Sequence, residues 1–504
     1  MATTVNNHEG TLIYIFGATG DLAKRKLFPA IYSMVKEGKL DNKFAVIGLA
    51  RRAKTNEEFR EDVKKSIMEF ARHGIEDEQT WTDFSSHFHY MSLNINDDNG
   101  FEQLRKLSEN LEEQYEIPGN RLFYLALAPE LFGTVTENLK KGGLLESRGW
   151  HRLVIEKPFG YDLKSAEELN DRIRRVFNEN EIYRIDHYLG KEMVQNIEVI
   201  RFANTLFEPL WNNKYIDNIQ ITLSETVGVE DRGGYYENAG ALRDMGQNHI
   251  LQMLAMIAME PPSRLEPEDI RNEKVKVLRS LRPYANSEEV EKYTVRGQYL
   301  RGEDAQGNIL PGYREEDSVS ANSNTETFFA AKLFVDNFRW AGVPFYVRTG
   351  KRLPVKATEV VIEFKNVPKN VHFARKNHLA PNLLVIRVSP KEGVYLKFNV
   401  KEPGSDNAIM PVAMDFSQSD EVGINTPEAY ERLLLGAIRG DSTYFTRWDE
   451  VKLAWEFVDQ IQQAWGESNK NLQFYEAGSW GPEEAQQLLR DCGHHWWPVN
   501  GQGE

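Results

Sequence analysis

The stretch LIYIFGATGDLA, residues 12–23, decides how the first part of this chain is read. Leu12 to Phe16 is an unbroken apolar run of the length of a short strand buried on both faces, and it runs directly into a glycine loop. Only small residues let a backbone approach a pyrophosphate, and amide groups at a helix N-terminus supply partial positive charge there. Gly17, Ala18, Thr19, Gly20, Asp21 and Leu22 are therefore candidates for binding a dinucleotide. The spacing is Gly-x-x-Gly-x-x-Ala rather than Gly-x-Gly-x-x-Gly. Taken alone, the loop also reads as a tight strand-to-helix turn; its place at the head of an alternating pattern favours the nucleotide.

That alternation continues for almost 200 residues. Helical spacing of Leu27, Ile31, Met34 and Val35 leads to FAVIGL (44–49). Thr55 and Glu58 form a capping box ahead of Phe59, Val63, Ile67 and Phe70. FHYMSLNI (88–95) precedes Phe101, Leu104, Leu107 and Leu111; LFYLAL (122–127) precedes a helical stretch from about Glu130. LVIEKPFG (153–160) is followed by a second box, Ser165 with Glu168, and by Leu169, Ile173 and Val176. Strands separated by helices imply a Rossmann-type, doubly wound parallel sheet, because each crossover must bring the chain back in the same direction. Beyond about residue 205 the rhythm changes. YIDNIQITLSETVGV (215–229), ETFFAAKLFV (326–335), ATEVVIEF (357–364), NLLVIRVSP (382–390) and GVYLKFNV (393–400) suggest a large, mostly antiparallel sheet, with helices near 240–258, 427–438 and 448–465 over one face. The expected class is α/β plus α+β.

The 504 residues leave ample room for two cores, and 41% hydrophobic with 27% charged residues is ordinary for a folded chain. One cysteine, Cys492, excludes an internal disulfide and a cysteine-based zinc site and favours a reducing compartment. A formal charge of -15 repels nucleic acid and anionic lipid. The opening residues MATTVNNHEG carry neither a basic stretch nor an apolar run. LQMLAMIAM (251–259) falls far short of the ~18–20 residues of a membrane span. The expectation is a cytoplasmic protein without a nucleic-acid or membrane partner, in which any anionic ligand is held by locally gathered cations.

Several clusters supply those cations. Arg51 and Arg52 follow the second strand, where an NAD site usually places an acid for the ribose 2′-hydroxyl, so a 2′-phosphate is favoured over a merely solvated basic turn. RIDHYLGKE (184–192) compresses Asp186, His187, Tyr188 and Lys191 into one stretch. A helix beginning near Leu189 would turn His187 and Lys191 to one side, where a phosphate dianion could lie. Lys351 and Lys356, in RTGKRLPVK, are further cations. RDMGQNH (243–249) sets Asp244 and His249 in a helical segment. A His beside an apolar run is usually a hydrogen-bonded core residue, yet paired with a carboxylate it suits removal of a proton from an alcohol undergoing oxidation. His494 and His495 read as packing of the C-terminal tail rather than a metal pair.

GATGDLAKRK, EKPFG, RIDHYLGKE, RDMGQNH and VPFYVRTGKRL occur in the order and at the separations of the glucose-6-phosphate dehydrogenase family, which the chain resembles over nearly its whole length. The resemblance implies oxidation of glucose 6-phosphate at C1 to the 6-phospholactone; the alternatives are a dehydrogenase of an unphosphorylated sugar and a catalytically silent NADP-binding sensor. NADP is the implied cofactor, NAD a secondary one, and no metal is required. It makes His249 the general base and Asp186 the carboxylate that orients it. It assigns Lys157 to sugar and cofactor, Arg51 to the 2′-phosphate, and His187, Tyr188, Lys191 and Lys356 to the 6-phosphate. Glu225, Asp244 and Lys351 fall at sugar-binding positions. It further implies a dinucleotide-binding domain over 1–185, a substrate-binding and oligomerisation domain over 186–504, and a homodimer or homotetramer. Three positions depart from the family pattern: Gly246 inside the His249 helix, which is expected to loosen it, Phe132 where some relatives have tyrosine, and Lys356 where some have arginine.

Overall fold

The computed structural model describes residues 10–367, 379–405, 408–417, 428–467 and 472–499. Most of MATTVNNHEG and residue 427, the expected start of a helix, lie outside them. The chain divides into two compact units. One comprises Met1–Gly190, Arg264–Arg271 and Asn425–Lys452, and the other Lys191–Ser263, Asn272–Ile424 and Leu453–Glu504.

In the first unit, β1 (Thr11–Phe16) is flanked by β2 (Phe44–Ala50) and β4 (Arg121–Leu125), each parallel to it, with Leu12 opposite both Ala45 and Arg121. β3 (Phe88–Ser92), β5 (His151–Ile155) and β6 (Ile182–Ile185) complete the parallel order β3-β2-β1-β4-β5-β6. β17 (Phe445–Thr446) adds an antiparallel edge to β6. The doubly wound arrangement follows from the apolar runs: every residue of β1 and of β4 is buried. Ile13, Ile15, Phe28 and Ile31 share one core with Leu433, Leu434 and Ala437 of the late helix Ala429–Arg439. Sequence order gave no hint that this helix would return to the first unit.

Two boundaries differ from the sequence reading. The box expected at Ser165 and Glu168 is built instead by Asp162, whose Oδ1 accepts the Ser165 N–H at 2.7 Å while Ser165 returns a bond to the Asp162 N–H. An aspartate in extended conformation three residues earlier is the better cap. No helix begins near Leu189 either. Residues 187–190 form tight turns, with Leu189 N–H bonded to Asp186 O at 3.0 Å, and the helix starts at Glu192. The Thr55–Glu58 box is present as expected.

The second unit is organised by one sheet in the order β16-β15-β14-β13-β7-β12-β11-β8-β18. Its strands are β7 (Ile216–Ser224), β8 (Thr294–Leu300), β11 (Phe328–Phe334), β12 (Pro344–Gly350), β13 (Ala357–Phe364), β14 (Leu383–Ser389), β15 (Gly393–Lys401), β16 (Ile409–Ser417) and β18 (Gln473–Glu476). Only β7–β12 and β8–β18 pair in parallel. β9 (Gly302–Glu303) and β10 (Ile309–Leu310) form a separate short hairpin.

The first turn after β1 requires its glycine. Gly17 has a φ of +86°, and a Cβ there would lie 2.1 Å from the carbonyl oxygen of Ala126. We expect Gly17→Ala to lower the thermal midpoint of the ligand-free protein, because the left-handed conformation alone costs about 1–2 kcal/mol before the clash is counted. An unchanged midpoint would show that the loop adjusts freely.

Candidate active site

The glycine loop opens a helical segment at the carboxyl end of β1. Gly17 N–H donates to Leu49 O at 2.8 Å and Gly20 N–H to Gly17 O at 2.9 Å, so the loop closes on itself without a large side chain. A Cβ on Gly20 would lie 3.1 Å from Gly17 O. This cradle of small residues fits a pyrophosphate. Asp21, by contrast, is exposed and paired with Arg25 at 2.8 Å. At the end of β2, Tyr90 and Ser92 donate hydroxyl bonds to the carbonyls of Arg52 and Arg51, 2.5 and 3.1 Å long, which fixes the turn while leaving both arginine side chains exposed. The nearby acids are engaged: Asp62 pairs with Lys54, and Glu58 caps the Thr55 N–H.

Also in the first unit, Glu156 and Lys157 follow β5, and Asp186, His187 and Tyr188 follow β6. Asp186 is 2% exposed, and its Oδ1 accepts the Tyr188 N–H at 3.0 Å. The His187 ring lies 4.9 Å from that of Tyr188. One turn thus brings together an acid, an imidazole and a phenol.

The other candidates belong to the second unit. Lys191 stands at the position preceding the helix Glu192–Phe202, and its Nζ donates to Ser389 Oγ at 3.2 Å. Lys351 Nζ donates to Glu225 Oε2 at 2.7 Å and stands 5.1 Å from the centre of the Tyr236 ring. Burial, followed by the charges of Asp244, Glu326 and Glu225, pushes the Tyr236 phenol well above its ordinary range. Those charges show Asp244 and Glu225 sharing one neighbourhood with Lys351. Lys356 is exposed, immediately before β13.

His249 is fully buried on a segment that is a π-helix over Leu242–Ile250 and an α-helix over Leu251–Ala258. The i→i+5 repeat puts Asp244 and His249 one π-type turn apart. Gly246 is part of this turn; a Cβ there would meet Leu242 Cδ1 at 3.0 Å, so the glycine serves close packing. The segment is secured from outside at both ends. At its start, Glu326 accepts the Ala241 N–H through its backbone at 2.9 Å and the Leu242 N–H through its side chain at 3.2 Å. Gly240, at φ +68°, lets that carboxylate approach. At its end, Arg201 donates to Met256 O, Trp211 to Ile257 O and Trp340 to Ala258 O, at 3.2, 2.8 and 2.8 Å. These are carbonyls that a helix terminus cannot satisfy itself. His494 and His495 are used in packing: His494 bridges Tyr346 and Asp217, and the His495 carbonyl accepts from Gln220.

The sequence reading missed Glu326, Ser389, Tyr236 and Glu156. The signal for Glu326 was an acid set directly before an apolar strand, and for Glu156 an acid closing one.

Comparison with known proteins adds the following. The NAD-binding-domain model of glucose-6-phosphate dehydrogenase matches residues 14–196, and the C-terminal-domain model of the same enzyme matches residues 198–497. The glucose-6-phosphate 1-dehydrogenase of Bacillus subtilis is 53% identical over 98% of this chain and 99% of its own length. That of Chlamydia pneumoniae is 45% identical over 97% of this chain and 96% of its own. A solved glucose-6-phosphate dehydrogenase in complex with its substrate glucose-6-phosphate superposes with a TM-score of 0.89 at 37% identity, covering 97% of this chain and 99% of that one.

The anchoring of the His249 segment is testable. Glu326→Ala leaves the buried Leu242 N–H without its acceptor and should cost about 1–3 kcal/mol in urea denaturation. Glu326→Gln retains an acceptor and should recover most of it. Equal losses in the two variants would mean that the charge, and not the hydrogen bond, is what matters.

Proposed function

The chain belongs to the glucose-6-phosphate dehydrogenase family, and from that premise we propose how its residues divide the work of the reaction. It is an oxidoreductase that oxidises glucose 6-phosphate at C1 and uses a nicotinamide dinucleotide. The observation that carries the assignment of residues is the turn at 186–190, where Asp186, His187 and Tyr188 are held in fixed relation by the Asp186–Tyr188 bond.

In this reading His249 accepts the proton of the C1 hydroxyl, and Asp186 takes the orienting role. His187, Tyr188, Lys191 and Lys356 receive the 6-phosphate with charge-assisted hydrogen bonds. Glu225, Asp244 and Lys351 bind the sugar hydroxyls; the Lys351–Glu225 pair supports this, since it presents a fixed donor and acceptor side by side. Gly17, Ala18, Thr19, Gly20, Asp21 and Leu22 form the pyrophosphate cradle, with Lys157 a contact to both cofactor and sugar. Bound there, a nicotinamide supplies the acceptor for the C1 hydride. We take residues 1–185 as the dinucleotide-binding domain and 186–504 as the substrate-binding and oligomerisation domain.

NADP is the preferred cofactor in this account, with NAD as a secondary one. The exposed Arg51 and Arg52, with Asp62 and Glu58 occupied elsewhere, leave the turn after β2 suited to a 2′-phosphate. The protein is proposed to act in the cytoplasm; among the described residues no helix is long and apolar enough to cross a membrane. It is proposed to work as a homodimer or homotetramer. The exposed Met410, Met414 and Phe416, alternating along the edge strand β16, support self-association.

Two variants check the assignments. His249→Asn should lower kcat by about 10²–10⁴ with little change in substrate affinity; near-normal turnover would exclude His249 as the base. Arg51→Ala should raise KM for NADP by the equivalent of about 1.5–3 kcal/mol and leave NAD kinetics unchanged. Equal losses with both cofactors would mean that Arg51 only shapes the turn.

A further inference from the structure

The first turn of the late helix Ala429–Arg439 is folded against the turn that carries His187, within the first unit. Arg432 Nη1 donates to Gly190 O at 3.0 Å across 242 residues of sequence. A Cβ on Gly190 would lie 2.8 Å from Ala429 O and 3.0 Å from Leu433 Cδ1, so glycine at 190 lets the two backbones touch. Lys26 holds Glu428 at 2.8 Å, and Arg72 holds Glu431 at 2.7 Å. Leu433, Leu434 and Ala437 are buried in the core of the same unit. The start of this helix is thus fixed on three sides.

Tyr430 occupies the middle of that contact. Its ring lies 6.5 Å from the His187 imidazole with only 11° between the planes. The charge of Glu156 acts on the Tyr430 hydroxyl, and the same carboxylate accepts the Tyr124 hydroxyl at 2.5 Å. Burial raises the Glu156 carboxyl and the Tyr430 phenol, and the charge of Asp186 acts on Tyr430 as well. Glu156 immediately precedes Lys157. A single acid at the end of β5 therefore stands beside β4, through Tyr124, and beside the late helix, through Tyr430.

We propose that Tyr430 is a positioning residue for the phosphate end of the site: carried by a helix start that is anchored against the turn, its ring holds the His187 imidazole in the orientation that receives the 6-phosphate. Selection of phosphorylated over free glucose then depends on a residue assigned no contact with the sugar. The physical reason lies in the turn. His187 is half-buried on a non-helical segment, where its ring already lies 4.9 Å from that of Tyr188. The near-parallel Tyr430 ring narrows the orientations open to the imidazole before the substrate arrives, which lowers the entropic cost of binding. This inference rests on the reading that His187 binds the phosphate.

The experiment is a double-variant cycle with kinetics on glucose 6-phosphate and on free glucose. Tyr430→Ala should raise KM for glucose 6-phosphate about three- to tenfold with kcat nearly unchanged. It should leave kcat/KM for glucose as it was. Tyr430→Phe, which keeps the ring and loses only the hydroxyl, should stay nearer to wild type than Tyr430→Ala. His187→Ala should raise the same KM, and adding Tyr430→Ala to it should bring little more, because the two act as one unit. If His187→Ala leaves KM for glucose 6-phosphate unchanged, the phosphate assignment itself fails. If His187→Ala raises it and Tyr430→Ala does not, the role of Tyr430 alone is overturned. Independent, additive effects, or equal losses on both sugars, also overturn it. Should Tyr430→Ala not fold, Tyr430→Leu fills the space without a flat ring and is read in the same way.

Discussion

The segment Leu242–Ala258 depends on hydrogen bonds that it cannot make for itself. Glu326 satisfies donors at its start, and Arg201, Trp211 and Trp340 satisfy three successive carbonyls at its end. Burial costs Arg201 enough to lower its pKa to about 10, yet the guanidinium is retained because an open helix end in that interior would cost more. With both ends fixed, the π-helical turn between them has nowhere to slide, and His249 is presented from a rigid support rather than from a loop. The general-base role proposed for His249 needs such placement, since small errors in the position of the accepting nitrogen cost large factors in rate.

The first unit solves a different problem. In the order β3-β2-β1-β4-β5-β6 the chain leaves β1 to one side and returns from β4 on the other, which opens a crevice at the carboxyl end of the sheet. Gly17 and Gly20 lie there, and in the proposed reading it is their backbone that faces the pyrophosphate. The late helix Ala429–Arg439 then returns to the same unit, burying Leu433 and Leu434 in its core and placing Tyr430 and Arg432 against the turn that follows β6. Elements widely separated in sequence thus shape the glycine loop and support the turn bearing Asp186, His187 and Tyr188 from one hydrophobic core.

Much of this was legible in the sequence. LIYIF, FAVIGL and LFYLAL read as doubly buried strands because apolar runs of that length have few other uses, and the Thr55–Glu58 cap follows a local rule. β6 was overlooked because IYRI is short and carries Arg184, which pairs with Glu179. The cap at Asp162 lost out to a plausible box three residues later, and the helix expected near Leu189 gave way to consecutive turns. Helical periodicity placed Asp244 and His249 on a helix but could not show a π-helix, since a change of pitch over nine residues leaves little trace in an apolar pattern. Glu326 and Glu156 left only the trace of an acid at the edge of an apolar strand, and the roles of these two and of Tyr430 were out of reach for a simpler reason. Each acts through a partner distant in sequence, and no local spacing encodes that.

The central claim is that the hydrogen at C1 of glucose 6-phosphate passes directly to the nicotinamide. It is tested by incubating the enzyme with NADP and glucose 6-phosphate carrying deuterium at C1, and then determining the mass of the reduced cofactor. The account predicts one deuterium in each reduced nicotinamide formed. Reduced cofactor without the label, formed at the normal rate from the labelled sugar, would contradict it.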